Sequence, residues 1–340
     1  MIDLHVVEAK PSDASALLGI IHTAFGARPP LDPPGTAMRE TVGSIETAVE
    51  TYGGLLARVD DVPAGAILFA EDAGWLELRR VSVHPRFQHR GVATAMVGCA
   101  EEVAQARGMD GVRLVARAEL PATLAFWWHR GYVERSRHGP EVRVVKRLPV
   151  EVTAPTADDT RAVGERLAGL LRAGDLVLLT GELGAGKTTL TQGIGAGLGV
   201  RGDVTSPTFV IARGHRPLGG GPSLVHVDAY RLGGVAELDD LDLDTSLDES
   251  VTVVEWGEGL AEGLAEDRLD VVLSRSLGES TSAVVDAGGS DAVGLGEGGL
   301  GEGAGEGAGD AGEVRRIRIV PAGRRWVDVP LRAVLAEPST

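Results

Sequence analysis

Eight consecutive residues carry a defined chemistry. Gly181-Glu182-Leu183-Gly184-Ala185-Gly186-Lys187-Thr188 reads G-x-x-x-x-G-K-T. The apolar run Leu176-Val177-Leu178-Leu179 precedes it, and a helical pattern follows from Thr189 to Leu198. A strand, a glycine-rich turn and a helix N-terminus together form a phosphate cradle. Glycines let backbone N–H groups converge on phosphate oxygens, and the helix start adds partial positive charge. In such a loop Gly184, Ala185, Gly186, Lys187, Thr188 and Thr189 surround the nucleotide phosphates. Lys187 reaches the β- and γ-phosphates, and the Thr188 hydroxyl sits on Mg²⁺.

Two later strands end in acids. Leu224-Val225-His226-Val227-Asp228 and Val251-Thr252-Val253-Val254-Glu255 are apolar runs closing on a carboxylate. Ligands sit at the C-terminal ends of strands in parallel sheets, so Asp228 and Glu255 are placed to hold the Mg²⁺ shell or orient water. Between them and the loop lies Asp203-Val204-Thr205-Ser206-Pro207-Thr208-Phe209. There Ser206 or Thr208 could touch the metal or the γ-phosphate; the same Ser-Pro-Thr is also a good turn and nothing more.

A second glycine turn lies in the first half. Gln88-His89-Arg90-Gly91-Val92-Ala93 follows the strand pattern Trp75 to Val83 and opens a helix running to about Arg107. Glu77 lies on the entering strand. It can deprotonate an amine, or it is an ordinary solvated strand residue.

The elements around these motifs predict an α/β chain in two parts. Strand patterns cover 2–8, 54–59, 64–70, 75–83, 112–116 and 142–146; helical patterns cover 12–25 and 122–130. The sheet this makes is mixed and mostly antiparallel. The second part, with its buried strands and intervening helices, predicts a mostly parallel sheet. The expected organisation is a first domain at 1–148, a linker at 149–156, and a phosphate-loop domain at 157–276 and 314–340. Residues 277–313 form an insert holding thirteen glycines and eight acids, with no Lys or Arg. Such a segment buries too little apolar surface to order itself, and it predicts a disordered tether.

The formal net charge is −16, from 33 basic and 49 acidic side chains, which argues against autonomous binding to nucleic acid. The single cysteine, Cys99, excludes an internal disulfide, and no apolar run reaches membrane-spanning length. Cytoplasm is the expected compartment.

The motif Gln88 to Ala93, within this order of strands and helices over roughly residues 1–148, resembles the GNAT family of N-acetyltransferases. The resemblance implies that the amides of Gln88, His89, Arg90, Gly91, Val92, Ala93 and Thr94 hold the pyrophosphate of acetyl-CoA. It also implies that Val81 and Val83 line the pantetheine. The family's usual tyrosine acid is replaced here by Trp127, and its usual asparagine by Leu120. The implied acceptor is an amine of unknown identity.

In the second half the phosphate loop, Ser206-Pro207-Thr208-Phe209, His226-Val227-Asp228-Ala229-Tyr230-Arg231-Leu232 and Val254-Glu255-Trp256 resemble the bacterial TsaE family. The match covers about 155–275 and 314–330. It implies an ATPase for threonylcarbamoylation of the adenosine beside the tRNA anticodon. ATP and Mg²⁺ would be held by Lys187, Thr188 and Glu255, with Asp228 supporting hydrolysis. Thr208 would lie in a switch segment, and Trp256 would close the pocket. TsaB- and TsaD-like partners are implied, with tRNA contacted through them and no membrane involved. Two other readings stand beside this one: a small-molecule kinase, and a nucleotide-gated scaffold with a non-catalytic acyl-CoA-binding domain.

Overall fold

The computed structural model of the chain describes residues 3–207, 210–232, 247–276 and 314–335, together with Glu237. Thr208 and the 277–313 insert lie outside the described residues. Two compact units emerge. Unit 1 is built from Met1–Val150, Ala265–Leu269 and Val320–Arg332, and unit 2 from Glu151–Leu264, Asp270–Ile319 and Ala333–Thr340.

Unit 1 begins with β1 (Leu4–Glu8), α1 (Ala14–Gly26) and α2 (Val42–Tyr52), followed by the antiparallel meander β2 (Gly54–Val59), β3 (Val62–Asp72) and β4 (Trp75–Val83). Then come α3 (Val92–Ala106), β5 (Gly111–Arg117), α4 (Pro121–Trp128), β6 (Val133–His138) and β7 (Glu141–Arg147). The sheet order is β1-β2-β3-β4-β5-β7-β6. Alternate side chains serve opposite faces, as the two-residue strand period requires. Leu55, Ile67 and Phe69 pack with Met96, Val97 and Ala100 of α3; Leu56, Ala66 and Leu68 pack with Leu17 and Ile21 of α1 and Ile45 of α2.

Two features of β4 open a cleft. A bulge shifts its register against β3, so that Ala66 pairs with Ser82 but Leu68 with Arg79, and Arg80 takes φ +54°. On its other edge β4 runs parallel to β5 for only three pairs, ending at Glu77 opposite Arg113. Beyond Glu77 the strands separate.

The last segment of unit 1 completes a small cluster in which Val327 packs with Trp75 and Val145. Arg147 Nε donates to the Val327 carbonyl at 2.9 Å, and Arg135 pairs with Asp328 at 2.7 Å.

Unit 2 runs β8 (Val150–Ala154), α5 (Ala157–Ala168), β9 (Leu176–Thr180), α6 (Lys187–Gly197), β10 (Ala212–His215), β11 (Ser223–Asp228), β12 (Ser250–Glu255), β13 (Arg268–Ser276) and β14 (Val314–Ala322); the last helix of the chain's described residues is α7 (Leu331–Leu335). The sheet order is β10-β11-β12-β9-β13-β14-β8. β9, β12 and β11 run parallel at its centre, and β10 is antiparallel to β11. Every residue of β12 is buried, and β9 is buried through Leu179, which explains their unbroken apolar sequences. Residues 150–154, inside the stretch read as a linker, form a strand at the edge of this sheet.

Thr156 caps α5 reciprocally with Asp159: the Thr156 hydroxyl accepts from Asp159 N at 3.1 Å, and Asp159 Oδ2 accepts from Thr156 N at 3.0 Å. Thr156→Ala is expected to weaken this unit by about 1 kcal/mol, read as a lower urea midpoint for its unfolding.

Glycines set the distance between α5 and α6. A Cβ on Gly164 would stand 2.8 Å from Ile194 N, and one on Gly193 would stand 2.8 Å from the Arg161 carbonyl carbon. The helices therefore touch backbone to backbone. That contact fixes α6, whose first residue is Lys187.

Candidate functional site

The phosphate loop bridges β9, in the middle of the sheet, to α6. Gly186 is the N-cap of α6 with φ +105°, a conformation that favours glycine. Gly181 lies against β13, where an added Cβ would come 3.2 Å from the Leu273 carbonyl carbon and closer to its oxygen. Ala185 is buried, and Thr189 is half-buried on α6.

The Lys187 ammonium is almost fully enclosed. It donates to the carbonyls of Gly181 at 2.7 Å and Glu182 at 2.9 Å, and lies 3.8 Å from the centre of the Trp256 ring. Burial pushes its pKa below the usual lysine value, while Glu255 and Asp228 oppose the shift.

Parallel register places Asp228 directly opposite Glu255 on adjacent strands. Thr188 Oγ1 donates to Glu255 Oε1 at 2.9 Å. His226 Nε2 contacts the same carboxylate oxygen at 2.8 Å, fully buried. Asp228 accepts from Ser206 Oγ at 3.1 Å and from Tyr230 N at 3.1 Å. Trp256 packs against Tyr230 with ring centres 5.2 Å apart. The structure thus brings together Lys187, Thr188, Asp228, Glu255 and Trp256.

Sequence reasoning had assigned no role to His226. The signal was present: His226 stands two residues before Asp228, and the strand period puts both on one face. Burial and the neighbouring His226 hold His215 below its usual pKa.

The donor set tests whether a divalent cation fits. Thr188, Asp228 and Glu255 offer only hard oxygen donors, the type Mg²⁺ takes alongside phosphate and water. Among the described residues no group of three or more His, Cys, Asp or Glu side chains forms an all-protein metal cage.

The cleft of unit 1 has a volume of about 850 Å³. Its walls include Val81 and Val83 of β4, Trp127 of α4, and the turn residues Gln88, His89, Gly91, Val92, Ala93 and Thr94. Gly91 caps α3 with φ +79°, and His89 also has a positive φ of +59°. Consecutive turns of this kind aim backbone N–H groups at an anion. Arg90 is not among the lining residues; its guanidinium lies 5.8 Å from the Phe87 ring centre. Arg130, which the sequence reading left without a role, donates to Thr94 Oγ1 on the first turn of α3 and to the Phe126 carbonyl.

Glu77 lines the cleft where β4 and β5 part, and it pairs with Arg113 at 3.4 Å. Trp127 is buried, and its indole N–H has no acceptor among the described residues.

The family model described as threonylcarbamoyl adenosine biosynthesis protein TsaE matches residues 154–282, and that of the acetyltransferase (GNAT) family matches residues 27–132. The chain is 68% identical over 125 residues to the tRNA threonylcarbamoyladenosine biosynthesis protein TsaE of Streptomyces coelicolor, a match covering 36% of this chain and 84% of that protein. The same-named protein of Mycobacterium tuberculosis H37Rv is 50% identical over 149 residues, covering 42% of this chain and 89% of its own. Among solved structures, the PaiA N-acetyltransferase of Thermoplasma acidophilum in complex with coenzyme A has a TM-score of 0.39 at 14% identity, covering 43% of this chain and 99% of that one. With the phosphate loop and its two strand-end carboxylates inside the matched span, the chain belongs to the TsaE family and carries a GNAT-family domain in its N-terminal half.

Proposed function

We propose that the TsaE half is a Mg²⁺-dependent ATPase supporting threonylcarbamoylation of tRNA in the cytoplasm. It acts with TsaB- and TsaD-like partners, which supply the tRNA contacts. We propose further that the GNAT half transfers an acetyl group from acetyl-CoA to an amine. The observation that carries the first reading is the Thr188–Glu255 hydrogen bond at the end of the central strands, with Asp228 in register beside it. The relatives' names supply the pathway.

In this reading Lys187 exchanges its two loop carbonyls for phosphate oxygens, at the start of a helix whose free N–H groups face the same anion. Magnesium, when bound, neutralises developing charge on the phosphates. Thr188 and Glu255 would hold it, and His226 keeps the Glu255 carboxylate in position. Asp228 orients the attacking water. Water adds to the γ-phosphorus as the bond to the ADP oxygen breaks.

In the other cleft the N–H groups of the Gly91 turn bind the pyrophosphate, and the splayed edge of β4 around Val81 and Val83 takes the pantetheine. Acetyl-CoA supplies an activated acyl group as a thioester. The acceptor nitrogen bonds to the acyl carbon as the carbon–sulfur bond breaks. Glu77 takes the amine proton, and the departing thiolate takes a proton from water. Trp127 holds its N–H proton too tightly to serve as an acid.

The test is reconstitution of tRNA threonylcarbamoylation with purified partner proteins, this chain and ATP. Product formation that needs this chain and is lost with Lys187→Ala is expected. Full activity of the variant would overturn the ATPase reading.

A further inference from the structure

The cleft of unit 1 is lined by Arg28, Arg79, Arg80, Arg117 and Arg130, against Glu77 and Glu141 as the acids. That is a cationic site in a chain of net charge −16. Three of these arginines are committed. From β4, Arg80 Nε donates to Glu40 Oε1 at 2.8 Å and Nη2 to Thr36 Oγ1 at 2.9 Å. From β5, Arg117 donates to the Asp32 and Pro33 carbonyls at 2.8 and 3.0 Å and pairs with Glu119 at 2.8 Å. Together they tie the proline-rich loop 27–36, which lines the cleft, to β4 and β5. Arg130 stands at the start of α3, beside the turn that suits a pyrophosphate.

Arg28 differs from these three. It sits on the pinned loop with its guanidinium 3.8 Å from the Phe25 ring centre, and among the described residues that guanidinium makes one hydrogen bond, a long one of 3.5 Å to the Val81 carbonyl. Among the described residues no carboxylate pairs with it. Burial holds its pKa below the usual arginine value. A guanidinium half-removed from water without an anion is poorly solvated, and a carboxylate meeting its planar fork restores two charge-assisted hydrogen bonds.

Position narrows the anion further. Val81 follows the bulge of β4, beyond the last β4–β5 pair, on the edge assigned above to the pantetheine and thioester. The coenzyme's pyrophosphate is provided for separately, at the Gly91 turn and Arg130. An anion at Arg28 therefore belongs to the molecule that approaches the thioester.

We propose that Arg28 binds a carboxylate on the acyl acceptor, so that the substrate is a carboxylate-bearing amine: a free amino acid, or a peptide with an acidic side chain beside its amino end. This rests on the reading of the cleft as an acetyl-CoA site.

The experiment measures coenzyme A release by the full chain at saturating acetyl-CoA with two matched pairs of acceptors. One pair is L-methionine and L-methioninamide. The other is the C-terminally amidated peptides Ala-Glu-Ala-Phe and Ala-Gln-Ala-Phe. At least one carboxylate member is expected to exceed its neutral partner by about tenfold or more in kcat/KM, and the pair that does so identifies the source of the carboxylate. Arg28→Met should erase that ratio by raising KM, with acetyl-CoA affinity by calorimetry and the melting temperature unchanged. Arg28→Lys should keep part of the ratio. Equal use of both members of both pairs, no turnover of any acceptor with acetyl-CoA bound, or a ratio that survives Arg28→Met would each overturn the proposal alone. Failure of acetyl-CoA to bind the wild-type chain at high micromolar concentration would overturn the reading of the cleft and the proposal with it.

Discussion

Glu255→Gln is expected to lower ATP hydrolysis by roughly 10²- to 10³-fold while leaving nucleotide binding nearly intact, in line with the loss of one well-placed electrostatic contact. Gln has the same shape, and its carbonyl oxygen can still accept from Thr188. What disappears is the negative charge facing the Thr188 hydroxyl and its partnership with the buried His226 imidazole. Lys187→Ala removes a different element. It deletes the ammonium held by the Gly181 and Glu182 carbonyls and by the Trp256 ring, so nucleotide affinity should fall as well as rate. Initial rates at saturating MgATP, beside a binding titration for each variant, separate the two effects. Hydrolysis by Glu255→Gln at the wild-type rate would remove Glu255 from the machinery. The effects of the two substitutions should not add, because both residues serve one bound nucleotide.

Gly193→Val should damage unit 2 more than any substitution on its surface. The site has no room: a Cβ already overlaps the Arg161 carbonyl, and valine adds two methyl groups. Overpacking of this kind costs about 1–3 kcal/mol, and here the obstacle is backbone, which cannot swing aside as a side chain would. For a domain of this size about 3 kcal/mol corresponds to a fall of roughly 6–12 °C in melting temperature. Separation of α5 from α6 also moves the start of α6, so ATP hydrolysis should decline well below the melting transition. An unchanged melting temperature would show that the helix pair adjusts freely.

The nucleotide site was legible because its constraints are local. Glycines, a lysine and a hydroxyl at fixed spacing are dictated by one phosphate chain, and Asp228 and Glu255 announce themselves as acids closing apolar runs. Other elements gave weaker signals. α2 went unread because Val42, Ile45, Thr47, Val49 and Thr51 are β-branched and mask the helical pattern that its Thr41 cap begins. β6 (VERSRH) and β10 (ARGH) are short and polar at sheet edges; pairing with a neighbour makes them strands, not their own sequence. β8, inside the stretch expected to be a linker, is a short edge strand of the same kind.

The cleft of unit 1 depends on register. Nothing in the residues of β4 says that its pairing with β5 stops at Glu77, or that a bulge falls at Arg80. Nor does a single arginine in a proline-rich loop show that Arg80 and Arg117 hold that loop in place. Such facts arise from contacts distant in sequence, and only the folded chain displays them.

The three-part make-up of unit 1 has a consequence for synthesis. A ribosome delivers Met1–Val150 first, yet Trp326, wholly buried, and Val327, which closes the cluster with Trp75 and Val145, are made only after the whole of Glu151–Leu264 has been added. Until then Trp75 presents an uncovered apolar face, and Arg147 lacks the carbonyl it donates to. Most multidomain chains finish their N-terminal part during translation. Here the amino-terminal unit closes only once Val320–Arg332 has followed, so a chain interrupted before that segment yields an acetyltransferase-like unit that is nearly whole and still unsealed.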